Sequence, residues 1–276
     1  MKPAIERLRV KANDWNVTVE ETRETPSSLL GFGVRAGIRV VLKITKASGD
    51  ESHSGEVLRA FAGDGAVRVY ESETDAVLLE RLEPGTDLVD LVRRGDDEEA
   101  TRILVQVIGK LAYREAPREC PTVADWGRGF DRYLQSGDHQ IPHELVHDAH
   151  NVYLDLSSTQ RTSMLLHGDL QHYNVLFDND LGWVAIDPKG VVGELEYELG
   201  ALLRNPVELP ELYTNPTIFN RRVEILTDIL ALDHTRIRAW SFAQSVLSAI
   251  WNIEDGDRIN SNHPSLQLAQ VLRAML

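Results

Sequence analysis

The spacing of apolar residues changes once along this chain, at Glu83-Pro84-Gly85. From about Trp15 to Leu82 they come in short runs broken by turn residues. Gly31-Phe32-Gly33-Val34 leads through Ala36-Gly37, a hairpin turn signal, into Ile38-Arg39-Val40-Val41-Leu42-Lys43-Ile44, whose β-branched content favours a strand. Val67 to Tyr70 and Ala76 to Leu82 predict two more strands around a turn at Glu73-Thr74-Asp75, and a helix from about Glu51 to Ala62 interrupts the series. Beyond Gly85 the period is helical. Ala100, Ile103, Leu104, Val107, Ile108 and Leu111 recur on one face, behind an N-cap at Asp96-Asp97. Further helices are predicted near 143–157, 218–231, 235–252 and 265–275, with short strands at Met164–His167, Val175–Phe177 and Trp183–Ile186. The expectation is an α+β fold of two lobes: a small β-rich lobe over residues 1–82 and a larger helical lobe with a short β insert over residues 83–276.

Charge and cysteine content narrow the partners. With 29 Lys and Arg against 43 Asp and Glu, the formal net charge is −14. A chain this acidic is a poor fit for nucleic acid or an anionic membrane surface, and suits a cationic ligand. The single Cys120 excludes an internal disulfide framework and a multi-cysteine metal site. The opening segment MKPAIERLRVKANDW has no apolar signal core, and no apolar run of ~18 residues follows, so the expected compartment is the cytoplasm.

The densest group of chemistry-bearing residues is His167-Gly168-Asp169-Leu170-Gln171-His172-Tyr173-Asn174, a loop between two predicted strands. Asp187 follows the strand Trp183–Ile186, and Asp178-Asn179-Asp180 turns the chain between. A hairpin therefore returns Asp187 beside Asp169 and Asn174. Phosphoryl transfer uses such a set: one carboxylate accepts the proton of the attacking hydroxyl, while an amide and a second carboxylate hold Mg²⁺ on the nucleotide phosphates. Asp169 and Asn174 have four residues between them, the catalytic-loop spacing of kinases. His167 and His172, five residues apart across a loop, do not have zinc-hydrolase spacing.

The run HGDLQHYNVLF followed by IDPKG resembles the aminoglycoside phosphotransferase branch of the kinase-like superfamily. Extended to ELGALLRNP, it is similar to the streptomycin 6-phosphotransferase and hydroxyurea phosphotransferase family. The strong match covers roughly residues 164–206, with weaker support from the N-terminal lobe and Ser248-Ala249-Ile250-Trp251-Asn252. The resemblance implies a protein-kinase-like fold and ATP- and Mg²⁺-dependent phosphorylation of a small hydroxylated molecule. It makes Asp169 the catalytic base, Asn174 and Asp187 the metal ligands, and His167 a structural residue of the loop. Asp187-Pro188-Lys189 stands where protein kinases carry Asp-Phe-Gly, as in the small-molecule branch.

For the nucleotide, Val40-Val41-Leu42-Lys43-Ile44 parallels the strand whose lysine holds the α- and β-phosphates. Glu56 is the expected carboxylate partner of Lys43, with Glu51 as competitor. No GxGxxG is present; the loop from Thr25 to Gly33 stands in its place, and Ser27 and Ser28 could contact phosphate. Leu79-Glu80-Arg81-Leu82 corresponds to the hinge, where Glu80 and Leu82 would meet adenine through their backbone groups. For the acceptor, streptomycin carries two guanidinium groups, so carboxylates and an aromatic face near Asp169 would bind it. Glu194 leads the candidates, then Glu254 and Asp255, with Trp251 as the stacking face; Glu198 is a candidate brace for the catalytic loop. Streptomycin at its 6-hydroxyl is the first expected substrate, hydroxyurea or another small metabolite the second. A kinase-like protein that binds nucleotide or ligand without phosphotransfer is the alternative of a different class, opposed by the presence of Lys43, Asp169, Asn174 and Asp187 together.

Overall fold

The computed structural model describes residues 3–46 and 53–276, so Glu51 and the expected start of its helix lie outside the described residues. A helix, α1 (Ala4–Asp14), precedes the strands β1 (Thr18–Glu24), β2 (Ser28–Arg35) and β3 (Ile38–Thr45). Helix α2 (Ser54–Phe61) then leads to β4 (Val69–Glu73) and β5 (Ala76–Glu80). The five strands form one antiparallel sheet in the order β1-β2-β3-β5-β4. Strand β3 lies at its centre, and the period of two sorts its side chains. Val40, Leu42 and Ile44 pack with Leu8 and Ala12 of α1. Val41 and Lys43 face the other way, into a cleft between the lobes. Helix α1 was not expected, because Leu8 and Ala12 are its only buried residues and leave too faint a stripe to read.

The larger lobe opens with β6 (Pro84–Asp87), α3 (Val89–Arg93), α4 (Asp97–Leu111), α5 (Val123–Ser136) and α6 (His143–Ser158). A β insert follows: β7 (Met164–Leu166), β8 (Val175–Asp178), β9 (Gly182–Ala185) and β10 (Val191–Gly193). Helices α7 (Leu195–Leu203), α8 (Pro210–Tyr213), α9 (Pro216–Leu230), α10 (His234–Glu254) and α11 (Pro264–Arg273) complete the chain. Strand β8 pairs with β6 and β9, and β7 pairs with β10. Helix α10 runs through the interior, burying Trp240, Phe242, Val246, Leu247 and Ile250. The fully buried Arg222 of α9 reaches Asp97 at the start of α4, Nε to Oδ1 3.1 Å, and donates to the carbonyl of Asn205 at 2.7 Å. Both charges of this interior pair are hydrogen-bonded, the condition for burying them.

Helices α5 and α7 escaped the periodicity for opposite reasons. Helix α5 contains Gly127 and Gly129, which weaken helical propensity. Their place is dictated by packing, since a Cβ at 127 would come within 2.5 Å of the Tyr153 ring. Every residue of α7 is buried, so it presents no polar face to alternate with. No described helix is long and apolar enough to cross a membrane.

Candidate active site

The β8–β9 hairpin determines which residues meet. Val175 pairs with Ala185, and the ladder continues one step further, where the N–H of Ile186 donates to the carbonyl of Asn174 at 2.9 Å. Asn174 and Asp187 are thereby held at one end of the hairpin. The side chain of Asn174 turns back on the loop, with Nδ2 donating to the main-chain oxygen and to Oδ2 of Asp169 at 2.8 and 3.2 Å. Asp187 has φ +59°, in the left-handed region unusual for a residue with a Cβ. Its Oδ1 accepts from Nζ of Lys43, joining the two lobes.

Two buried side chains brace the loop from beneath. His167 Nε2 donates to the carbonyl of Ile186 at 2.9 Å, while its Nδ1 accepts from the N–H of Asp169 at 3.3 Å. That pattern is one neutral tautomer, and burial lowers the imidazole pKa to about 4. A single ring thus ties the segment entering Asp187 to the segment carrying Asp169. Glu198 of α7 accepts from the N–H groups of Gly168, at 3.1 and 3.2 Å, and of Leu170, at 3.4 Å. Burial raises the Glu198 carboxyl to about 7, against the opposing pull of those N–H groups.

A cleft of about 340 Å³ lies between the lobes, with Lys43, Ser28, Glu80, Leu82 and Asp187 in its lining. Ser28 is buried, and its N–H donates to Thr25 Oγ1 at 3.0 Å. Ser27 is exposed and offers its carbonyl to the N–H of Lys46 at 2.8 Å, so the loop turns it away from the cleft lining. Glu56, the first expected partner of Lys43, is placed differently too. Glu56 stands on the exposed side of α2, and its charge acts on the Cys120 thiol; among the described residues the carboxylate that Lys43 meets is Asp187, and the competitor Glu51 lies outside them. The helix phase that buries Val57 and Leu58 turns Glu56 outward. Asn174 and Asp187 fit Mg²⁺ as donors. With Nδ2 committed to Asp169 and Asp187 Oδ1 to Lys43, Asn174 Oδ1 and Asp187 Oδ2 remain as acceptors, and phosphate and water supply most other ligands of such an ion.

A second cavity, about 660 Å³, has Asp169 in its lining, which the cleft does not. Burial raises the Asp169 carboxyl, while the charges of Arg204 and Lys189 pull it down and that of Asp187 pushes it up. Trp251 lines this cavity and meets Trp126 edge-on, centroids 5.7 Å apart. Glu254 and Asp255 are at its exposed rim, where Glu254 is gripped by Arg132 through Nε at 2.8 Å and Nη2 at 3.1 Å. Glu194 is elsewhere. It is 0% exposed and accepts from Arg236 Nε, Trp240 Nε1 and the N–H of Arg161. The leading acceptor candidate is therefore an interior ion-pair residue, locking the start of α7 to α10. A run of acids such as Glu194, Glu196 and Glu198 is commonly solvent-facing, but α7 is buried all round.

Several lining residues were not picked out from sequence. Arg204, at the end of α7, is half-buried, lines this cavity with Asp169 and donates from Nη1 to Gln244 Oε1 at 3.1 Å. Lys189, Trp126 and Asp125 also line the cavity. Only Arg204 left a local signal, a cation closing an otherwise apolar run.

A β-lobe lysine bound to a carboxylate of a helical lobe in a cleft between them, beside a second cavity lined by another carboxylate, is the arrangement of a kinase-like phosphotransferase. The solved structures agree in fold: the aminoglycoside phosphotransferase APH(4)-Ia superposes with a TM-score of 0.71 at 15% identity, over 99% of each chain. The choline kinase LicA from Streptococcus pneumoniae gives 0.65 at 14% identity, over 98% of each chain. Within that class, the sequence profile of the aminoglycoside/hydroxyurea antibiotic resistance kinases matches residues 14–256, and the chain belongs to that family. A streptomycin 3''-kinase of Klebsiella pneumoniae is 32% identical over 81% of this chain and 84% of its own length. A hydroxyurea phosphotransferase of Kitasatospora aureofaciens is 29% identical over 84% and 74%. A streptomycin 6-kinase of Streptomyces glaucescens is 28% identical over 94% and 86%. The chain is accordingly a phosphotransferase with an alcohol group as acceptor, using ATP and Mg²⁺ on a small molecule.

Proposed function

We propose that this enzyme phosphorylates a streptomycin-like aminoglycoside, with the 6-hydroxyl as first choice. The observation that carries the reading is that Asp169 lines a cavity of about 660 Å³, separate from the nucleotide-sized cleft lined by Lys43 and Asp187. A volume of that order suits a molecule of several rings. Hydroxyurea, with a handful of heavy atoms, would leave most of it to water. The indoles of Trp126 and Trp251 and the carboxylates of Asp125 and Asp255 suit guanidinium groups.

In this reading residues 1–82 form the nucleotide lobe and residues 83–276 the catalytic and acceptor lobe, and the reaction takes place in the cytoplasm. Lys43 positions the nucleotide phosphates, Ser28 contacts them, and the hinge at Glu80 to Leu82 meets the base. Asn174 and Asp187 hold Mg²⁺, which neutralises charge on the phosphates when bound. Asp169 accepts the acceptor hydroxyl proton and aims its oxygen at the γ-phosphorus. Arg204 and Lys189 favour the ionised form of Asp169 that can accept it. His167 and Glu198 hold the loop in place.

The test is ADP release from Mg-ATP with streptomycin, hydroxyurea and a panel of amino sugars, with the product identified by mass and NMR. Streptomycin-dependent release with phosphate on the 6-oxygen is the expected result. Phosphate on the 3''-oxygen would keep the substrate and move the site. Release with hydroxyurea alone would overturn the aminoglycoside reading.

A further inference from the structure

The first turns of α6 carry a pattern that phosphotransfer does not use: His143-Glu144-Leu145-Val146-His147. Residues four apart on a helix stand on one face, and these imidazoles do, with ring centroids 4.4 Å apart and planes at 67°. Both rings are exposed, while Leu145 and Val146 between them are buried. Neither histidine lines the cleft or the cavity of the active site.

In zinc hydrolases this spacing puts both imidazoles on one metal, leaves the glutamate as general base and takes a third ligand from elsewhere. Two features exclude that chemistry here. Glu144 Oε1 accepts from Arg273 Nη2 of α11 at 2.9 Å, so its carboxylate is tied to a cation. Among the described residues, no group of three His, Cys, Asp or Glu side chains is placed to hold a metal. The hydrolase reading falls, but the chelating pair stands.

We propose that His143 and His147 form an exposed two-histidine site for a divalent transition-metal ion such as Zn²⁺ or Ni²⁺, its remaining positions filled by water. Imidazole nitrogen suits these ions, whereas Mg²⁺ prefers oxygen and keeps its water, so the site is chemically separate from Asn174 and Asp187. The helix fixes the spacing of the two rings, which removes much of the ordering cost of chelation. The positive end of the helix dipole opposes a cation there, and the surrounding side chains offset it: Glu144 and Asp148 bring two negative charges against the one of Arg273. A bound ion would staple the first two turns of α6 and, by binding only the folded chain, raise its unfolding temperature.

Calorimetric titration of the tag-free full chain with ZnCl₂ or NiCl₂, in excess MgCl₂ to saturate the other site, tests this. One ion should bind per chain, and His143→Gln or His147→Gln should weaken binding by about tenfold or more. Circular dichroism of each variant, matching the parent, establishes that the loss is local. Arg273→Gln should retain the ion. Absence of saturable binding by the parent, or unchanged affinity in the variant carrying both glutamines, would overturn the proposal.

Discussion

The side-chain amide of Asn174 donates to both the main-chain oxygen and the carboxylate of Asp169, closing the loop across the five positions that separate them. Asn174→Asp would set a second carboxylate against the first, and kcat should fall at least ~100-fold. Asp169→Asn removes the proton acceptor with little change in volume, for a loss of ~10²–10⁴ in kcat. Nucleotide affinity of the Asp169→Asn enzyme, measured by titration, should stay within about twofold of the parent. Undiminished turnover would remove Asp169 from the chemistry.

The Lys43–Asp187 contact ties the lobes through the nucleotide cleft. Lys43→Met keeps the stem and deletes the charge. Its KM for ATP should rise by about tenfold or more, the equivalent of a charge-assisted hydrogen bond, with KM for the acceptor unchanged. Paired initial-rate series separate the two.

Glu194 offers the opposite test, of stability without substrate recognition. Glu194→Ala leaves Arg236 and Trp240 Nε1 without their buried acceptor. The cost should be ~3–5 kcal/mol, read from denaturant unfolding. The acceptor KM of the remaining folded enzyme should not move. An acceptor KM that rose while stability held would return Glu194 to the substrate site.

Trp251 shares an edge-on contact with Trp126 in the wall of the larger cavity. Trp251→Ala should raise the acceptor KM severalfold, as expected for losing one aromatic contact, and leave the ATP KM alone. Equal effects on both would indicate a general disturbance of the lobe.

His172 is fully buried, and neither ring nitrogen has a hydrogen-bond partner among the described residues. Burial lowers its pKa from 6.5 to about 3. A histidine depressed in the folded state contributes stability that is present above pH 6.5 and is lost as pH falls toward 3. His172→Phe, of similar shape and uncharged, should flatten the decline of Tm over that interval. His167, lowered in the same direction, should leave a residual slope. A variant curve parallel to the parent would show that His172 does not titrate on unfolding.

Asp169, Asn174 and Asp187 could be grouped from the chain alone because a tight loop and one hairpin connect them, and hairpin register follows from strand pattern and turn. The central strand with Lys43 was legible for the same reason, since a period of two shows which side chains share a face. Glu56 and Glu194 could not be placed so. Each is one acid among several, and helix phase and packing decide whether it meets a cleft, solvent or a buried arginine.

The sequence by itself determined the two-lobed order, the kinase-like loop and the class of reaction, because local periodicity and short-range spacing encode them. Only the tertiary structure decided that Arg204 lines one cavity with Asp169, that Trp126 stands against Trp251, and that Glu144 is tied to Arg273. The physical reason is that such neighbours come from segments far apart in the chain. Their meeting depends on how whole faces pack, which no window of adjacent residues contains.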